Sequence, residues 1–243
     1  FQRCITNESN VLQGCVWEIR KEQIEKIEIL PKNGYIYGSL NYKRKDGSRR
    51  DWIKEYYKNN EKIIFTREPG GTKISEKIRE IILSNDNSNM SPRTEALLYS
   101  ASRAQHIDEL IKPNLDKGNI VISDRFVLSS LAYQGGGREL GVENVKKIND
   151  FAINGVNPDM IIFFYVDPLT TLKRKSLNVD ADRLELSGDD FHSRVYDTYM
   201  ELLEKMKDEK VLKKVDATKS MSEVFEDVKN IIDEKLEELL WKW

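Results

Sequence analysis

The stretch Lys62-Ile-Ile-Phe-Thr-Arg-Glu-Pro-Gly-Gly-Thr72 decides how the chain is read. It opens on a short apolar run, Lys62 to Thr66, and stops at the breaker cluster Glu68-Pro-Gly-Gly71. From Lys73 to Leu83 the apolar residues fall at 74, 78, 81 and 82, the spacing of one helix face. A strand, a glycine turn and a helix therefore follow one another. Downstream the same alternation recurs. Pro92 to Lys117 reads as a long helix, with Pro92 near its first turn and Gly118 as its stop. Asn119-Ile-Val-Ile-Ser123 reads as a second buried strand, Met160 to Val166 as a third and Lys210 to Val215 as a fourth. Helices are expected at Glu143–Asn154, from Pro168 to Ser176, at Asp189–Asp208 and at Met221–Leu240. Apolar strands alternating with helices predict an α/β fold, a parallel sheet with helices on both faces.

Upstream the pattern is less regular. Trp17 to Ile29 reads as a charged helix and Gly34-Tyr-Ile-Tyr-Gly38 as a strand. The turn signal Lys45-Asp-Gly-Ser48 suggests a hairpin over 34–53, and Asp51 to Asn60 a short helix. Residues 1–50 are thus expected to form an atypical N-terminal segment and 51–243 the main domain. The sequence begins with Phe1 rather than Met, so its natural start is expected to lie upstream or to have been trimmed.

Composition narrows the function. The 243 residues carry 39 Lys and Arg against 41 Asp and Glu, a net charge of −2, which argues against holding nucleic acid by bulk electrostatics. The basic run Lys43–Arg50 is short and reads as a solvated turn. No apolar run is long enough to span a bilayer, and no apolar leader stretch follows Phe1, so a cytoplasmic location is expected. Cys4 and Cys15 alone cannot make a metal site, and free thiols are expected.

Five segments carry chemistry. Thr66-Arg-Glu-Pro-Gly-Gly-Thr72 and Ser123-Asp-Arg-Phe126 both end strands, where open parallel sheets bind ligands. Glycines let a backbone approach closely, and an arginine there can fork onto phosphate. An aspartate at a strand end can hold Mg2+ directly or through water. Tyr133-Gln-Gly-Gly-Gly-Arg138 sets an amide, able to read a base edge, on a glycine turn. Tyr99 and Arg103 lie four apart and share a helix face. Lys173-Arg-Lys175 through Asp182-Arg-Leu-Glu185 surrounds a polar stretch that could close over a triphosphate. Taken singly, each has an ordinary structural reading: a helix-start turn, a capping aspartate, a flexible loop, a packed helix, a solvated charge run.

In order and spacing these segments together resemble the thymidylate kinase family, which phosphorylates dTMP with MgATP. The resemblance covers about residues 53–238 and includes Arg67-Glu-Pro-Gly-Gly-Thr72, Ser100-Ala-Ser-Arg-Ala-Gln105, Ser123-Asp-Arg-Phe126, Ser129-Ser-Leu-Ala-Tyr-Gln-Gly135 and Pro158-Asp159. It implies a P-loop-kinase-like parallel sheet of about five strands, ATP as phosphoryl donor, Mg2+, and a homodimer formed through the long helix at 92–117. It implies that Arg67 holds the dTMP phosphate, Tyr99 stacks on thymine, and Arg103 and Gln134 read the base or its surroundings. Asp124 and Arg125 would serve Mg2+ and phosphates, with Phe126 where the family has Tyr. Arg174 and Arg183 match the basic lid. Asp124, Arg125, Arg174 and Arg183 are the candidate catalytic residues; Arg67, Tyr99, Arg103 and Gln134 the candidate substrate contacts.

One part departs from the family. Members carry Gly-x-x-x-x-Gly-Lys-Ser/Thr, whose backbone amides cradle the ATP phosphates. This sequence contains no such motif; Lys45-Asp-Gly-Ser-Arg-Arg50 keeps Asp-Gly-Ser but has Arg49-Arg50 where Gly-Lys belongs. In that fold the strand before the loop lies mid-sheet, so something must fill its slot. Tyr35-Ile-Tyr37 is the expected replacement strand, with the hairpin over 34–53 as its competitor. The alternatives to an active kinase are a protein that only binds dTMP or a related nucleotide as a sensor or partner, and a truncated or fused product.

Overall fold

The computed structural model describes residues 15–17, 35–37, 41–43, 49–57, 59–60, 62–165, 182–184 and 186–240, with side chains for 53–54, 56–57, 59–60, 62–165, 182–184, 186–220 and 222–237. Four short strands lead in: β1 (Cys15–Trp17), β2 (Tyr35–Tyr37), β3 (Asn41–Lys43) and β4 (Arg49–Asp51). Then come α1 (Trp52–Tyr56), β5 (Ile63–Arg67), α2 (Lys73–Leu83), α3 (Pro92–His106), α4 (Lys112–Asp116), β6 (Ile120–Asp124), α5 (Val127–Ser130), α6 (Val142–Ile153), β7 (Ile161–Tyr165), α7 (Asp189–Lys205), β8 (Leu212–Asp216) and α8 (Met221–Leu240).

The parallel α/β architecture is as the sequence predicts. β5 and β2 flank β6 in parallel, and β8 runs parallel to β7. Among the described residues these strands form two neighbouring three-stranded sheets, β2-β6-β5 and β1-β7-β8, and the second is not purely parallel: β1 lies antiparallel on β7, with Val16 opposite Phe163, and touches β2. Tyr35 pairs with Val121 and Tyr37 with Ser123, so residues 35–37 do supply a strand beside β6. A hairpin forms as well, but over 41–51, with Asn41 opposite Asp51. It therefore occupies the connection from β2 to α1. Both readings of 34–53 hold in part, because three residues suffice for each ladder. The expected helix at 168–176, Arg174, the Cys4 and Cys15 side chains, and Trp17–Ile29 beyond Trp17 lie outside the described residues or side chains.

Helices form two groups. α1 packs on α8, where the Tyr57 hydroxyl donates to Asp233 at 2.5 Å. The second group joins α2 to α3, α3 to α6, and α7 to the segment 131–137. Between them lies the core: β6 is buried from Ile120 to Ser123, as are Ile161 to Phe164.

The long helix from Pro92 is continuous in course but not in type. Its start is capped by Ser91, whose hydroxyl accepts from the Thr94 amide, with Pro92 in the first turn. Residues 107–111 are π-helical before α4 resumes. Pro113 explains the change, because it has no N–H and its ring crowds the carbonyl four residues earlier. Gly118, at φ +80°, ends the run.

Candidate active site

The turn after β5 is built around a buried carboxylate. Glu68 receives the Arg103 Nε–H at 2.7 Å, and His106 Nδ1 lies 3.1 Å away. The other ring nitrogen of His106 meets the Thr66 hydroxyl at 2.6 Å. With Nδ1–H given to the carboxylate, Nε2 is left to accept from the threonine hydroxyl, so both ring nitrogens have a partner. Burial alone would raise the Glu68 carboxyl, but the charge of Arg103 and the bond from His106 hold it below the ordinary carboxylate range. Gly70 and Gly71 have φ of +124° and +90°. A Cβ on Gly71 would stand 2.5 Å from the His106 ring and 2.6 Å from the Thr66 hydroxyl. Only glycine lets the turn close onto that pair.

The end of β6 presents Asp124, Arg125 and Phe126. Arg125 is held at φ +72°, a conformation uncommon outside glycine and one that clusters at functional sites. Its guanidinium carbon lies 5.2 Å from the centre of the Tyr133 ring. Asp124 sits opposite Arg67 across the β5–β6 ladder. Among the described residues no three His, Cys, Asp or Glu side chains gather into a metal site. Mg2+ needs no such cage, because it takes one or two carboxylates and completes its shell with water and substrate phosphates. Asp124 at a strand end fits that mode.

Residues 131–137 close the site from the other side. The sequence suggests a glycine loop; the structure shows a π-helical segment. The glycines are there for packing. A Cβ on Gly136 would fall 1.8 Å from the Thr198 hydroxyl, and one on Gly137 would fall 2.6 Å from the Phe191 ring. α7 thus seats directly on the segment and fixes Gln134 within it.

The cleft between these elements holds about 510 Å³ of space, part of it open to solvent. Its lining includes Tyr99, Arg103, Arg125 and Gln134, four of the expected site residues. Arg103 is braced on three sides: Glu68, the Ser130 hydroxyl at 3.1 Å, and the Asn149 side-chain oxygen. Its Nη2 has no hydrogen-bond partner among the described residues. Gln134 donates through Nε2 to Glu95 at 2.9 Å, and its buried Oε1 has no partner among the described residues. The cleft therefore offers both a guanidinium donor and an amide acceptor. Burial raises the Tyr99 hydroxyl well above its ordinary value, with Glu95 adding to it, so that ring stays neutral.

Three placements differ from simple expectation. Arg67 does not line the cleft: it is half exposed, and donates to Glu76 at 2.9 Å and to the Pro69 carbonyl. Arg79, which sequence reading passes over, does line it, and donates to the same Pro69 carbonyl at 2.8 Å. Arg183 is buried, donating to the Ile82 carbonyl at 2.9 Å and pairing with Glu95 at 2.7 Å. It therefore ties the stretch after the basic segment to the end of α2 and the start of α3. Sequence reading also passes over Glu95. It is wholly buried and takes Arg138, Arg183 and Gln134 at once. In sequence it is only an acidic residue in the first turn of a helix, where most such residues face water.

A parallel sheet with an anion-friendly cleft beyond its strand ends defines a nucleotide-binding α/β protein of the P-loop-kinase type. Comparison with known proteins makes the assignment specific. Residues 48–228 match the family model for thymidylate kinase. A thymidylate kinase of Finegoldia magna is 54% identical over 191 residues, covering 76% of this chain and 93% of the relative. Those of Clostridium novyi and Thermosipho africanus are 47% and 44% identical, covering 72% and 76% of the chain and 85% and 90% of the relatives. The chain belongs to the thymidylate kinase family.

Proposed function

We propose that the chain phosphorylates dTMP, with ATP as donor and Mg2+ as the metal. A phosphate oxygen of dTMP attacks the γ-phosphorus of ATP, the bond to the β-phosphate oxygen breaks, and dTDP and ADP leave. The observation that carries this reading is the cleft, where Tyr99, Arg103, Gln134, Arg79 and Arg125 converge. Tyr99 supplies a neutral ring face for the base. Arg103 Nη2 and Gln134 Oε1, donor and acceptor, complement the adjacent carbonyl and imide N–H of thymine. Arg79 and Arg125 receive the monophosphate, with Arg67 as an outer contact that must first leave Glu76. Mg2+ held with Asp124 would neutralise charge between the two phosphate chains.

Such transfer depends on positioning and charge stabilisation rather than on a strong base. Arg174 is assigned the charge brought to the transferring phosphoryl group. Arg183 is assigned the anchoring of that lid on α2 and α3. On the donor side, where the family's glycine loop is missing from the sequence, the Lys and Arg residues of 43–50 are assigned a partial offset for the charge of the lost loop lysine. No helix among the described residues is long and apolar enough to cross a membrane, and a cytoplasmic enzyme is the reading adopted. A homodimer is proposed through the α3–α6 face, which leaves Leu97 57% and Phe151 88% exposed.

The test is dTDP formation by the purified chain with ATP, Mg2+ and dTMP, with an Asp124→Ala chain as the control for contaminating kinases. Turnover absent from the control is expected. Equal turnover in both would refute the assignment of Asp124. dTMP binding without turnover in the wild type would restrict the chain to the binding half of the reaction.

A further inference from the structure

We propose that Glu95 is a positioning residue that sets pyrimidine selectivity by fixing which way the Gln134 carboxamide faces. The inference rests on the reading of the cleft as a thymine-nucleotide site, and Glu95 itself touches no part of the base.

Glu95 stands in the first turn of α3 with no exposed surface. Two arginines from separate segments pair with it: Arg138 bonds both of its oxygens at 3.2 Å, and Arg183 pairs at 2.7 Å. Arg138 is itself fixed, with its guanidinium carbon 4.4 Å from the Phe191 ring centre and Nη2 donating to the Ser187 hydroxyl. An ionised carboxylate only accepts hydrogen bonds. Of the two ends of a carboxamide, only the NH2 can face it, and Gln134 turns Nε2 toward Glu95.

Oε1 must then point the other way. Gln134 is 1% exposed and lines the cleft, and Oε1 is buried without a partner among the described residues. A buried polar atom left in this state calls for an explanation, and a donor on the ligand is the natural one. Thymine and uracil carry N–H at ring position N3; cytosine carries a bare nitrogen there. Turning the amide over would suit cytosine, but would set its oxygen against the Glu95 carboxylate. The part of the selectivity that Gln134 reads is therefore held one residue away from the base, by a charge that forbids the flip. This is discrimination against the wrong ligand, imposed by an unfavourable contact.

The experiment is calorimetric titration of the purified chain with dTMP and with dCMP, before and after Glu95→Gln. An amide at position 95 can offer either its oxygen or its NH2, which frees Gln134 to turn. The preference for dTMP over dCMP is expected to fall about tenfold, the equivalent of one buried hydrogen bond. A role confined to stability would lower the melting temperature and leave that ratio alone. Because Arg138 and Arg183 also depend on Glu95, the same titrations are run on Glu95→Asp. That variant keeps the charge for both arginines but stands one carbon farther from Gln134, and part of the preference should be lost. A folded variant of either kind with the wild-type preference overturns the role of Glu95 alone. A wild-type chain that binds neither nucleotide overturns the reading of the cleft, and the role of Glu95 with it.

Discussion

The two halves of the proposed site are built differently. On the acceptor side, each buried carboxylate is answered by guanidinium groups: Glu68 by Arg103, with His106 as a further hydrogen-bond partner, and Glu95 by Arg138 and Arg183. These pairs also join β5 to α3 and α3 to the segments flanking α7. The cleft is part of the core, and its residues cannot change without disturbing the packing. On the donor side, the central slot of the sheet is held by three-residue strands, and the route from β2 to α1 runs through a hairpin. A phosphate-cradling loop works through backbone amides at a strand end and shares few side chains with the core. That segment can therefore diverge while the cleft stays intact, and the sequence shows this asymmetry.

The largest expected effect tests the claim that the cleft is core. Arg103→Ala would leave the Glu68 carboxylate buried with only His106. Removing one partner of a buried pair costs about 3–5 kcal/mol, so the melting temperature should fall steeply along with dTMP affinity. A variant that loses dTMP affinity but melts like the wild type would show that Arg103 serves the ligand only, and the contrast between the halves would weaken.

The next test addresses the other half. Ile36→Pro removes an amide and adds a ring in the middle of β2, opposite Ile122. If β2 completes the sheet, stability should fall by about 1–3 kcal/mol for each buried backbone group left unpaired. Urea denaturation measures this. An unchanged midpoint would mean that β6 gains nothing from residues 35–37.

How far the sequence can reach follows the same division. The strands at 63–67, 120–124, 161–165 and 212–216 are legible to within two residues, because each is a short β-favouring run bounded by breakers. The need for a replacement strand at 35–37 is also legible, since a missing central strand leaves its neighbours' backbone groups unpaired. The π-helical segments are not. Their bonding depends on Pro113 in one case, and in the other on how closely α7 approaches Gly136, a proximity no local pattern encodes. Arg79 and Glu95 escape sequence reading for a related reason. A single charge on an amphipathic helix reads as solvated until the fold shows what is packed over it. Arg103 is legible as a face-sharing partner of Tyr99 and, through the family resemblance, as a nucleotide contact; its clamp on Glu68 is purely tertiary.

Within the acceptor half, two arginines differ in the same way. Arg79 lines the cleft while Arg67 is occupied by Glu76. A hydrogen bond to a charged group in a desolvated site is worth about 1.5–3 kcal/mol. Arg79→Ala should therefore weaken dTMP binding about tenfold or more. Arg67→Ala should weaken it less, since the substitution also removes a half-exposed pair with Glu76 that competes with the ligand. Titration of both variants decides between them. If Arg67→Ala proves the more damaging, the arginine at the end of β5 swings into the cleft on binding and the structure describes a state before that movement.

The smallest effect concerns pH. Glu68 has its carboxyl held below the ordinary range in the folded chain, through Arg103 and His106 against the opposing effect of burial. A carboxyl whose folded pKa is depressed stabilises the fold above its unfolded value, near 4.3 for glutamate. That contribution is lost as pH falls through the lower, folded value, because the unfolded chain takes up the proton first. The stability of the wild type should therefore decline with acid from just above pH 4 downward. Glu68→Gln lowers stability at neutral pH, by breaking the pair with Arg103, yet should flatten that acid limb. Denaturation midpoints collected across the range separate the two effects. If the variant's acid limb kept the slope of the wild type, the pair around Glu68 would contribute nothing to the pH dependence, and the cleft would owe its rigidity to packing rather than to buried charge.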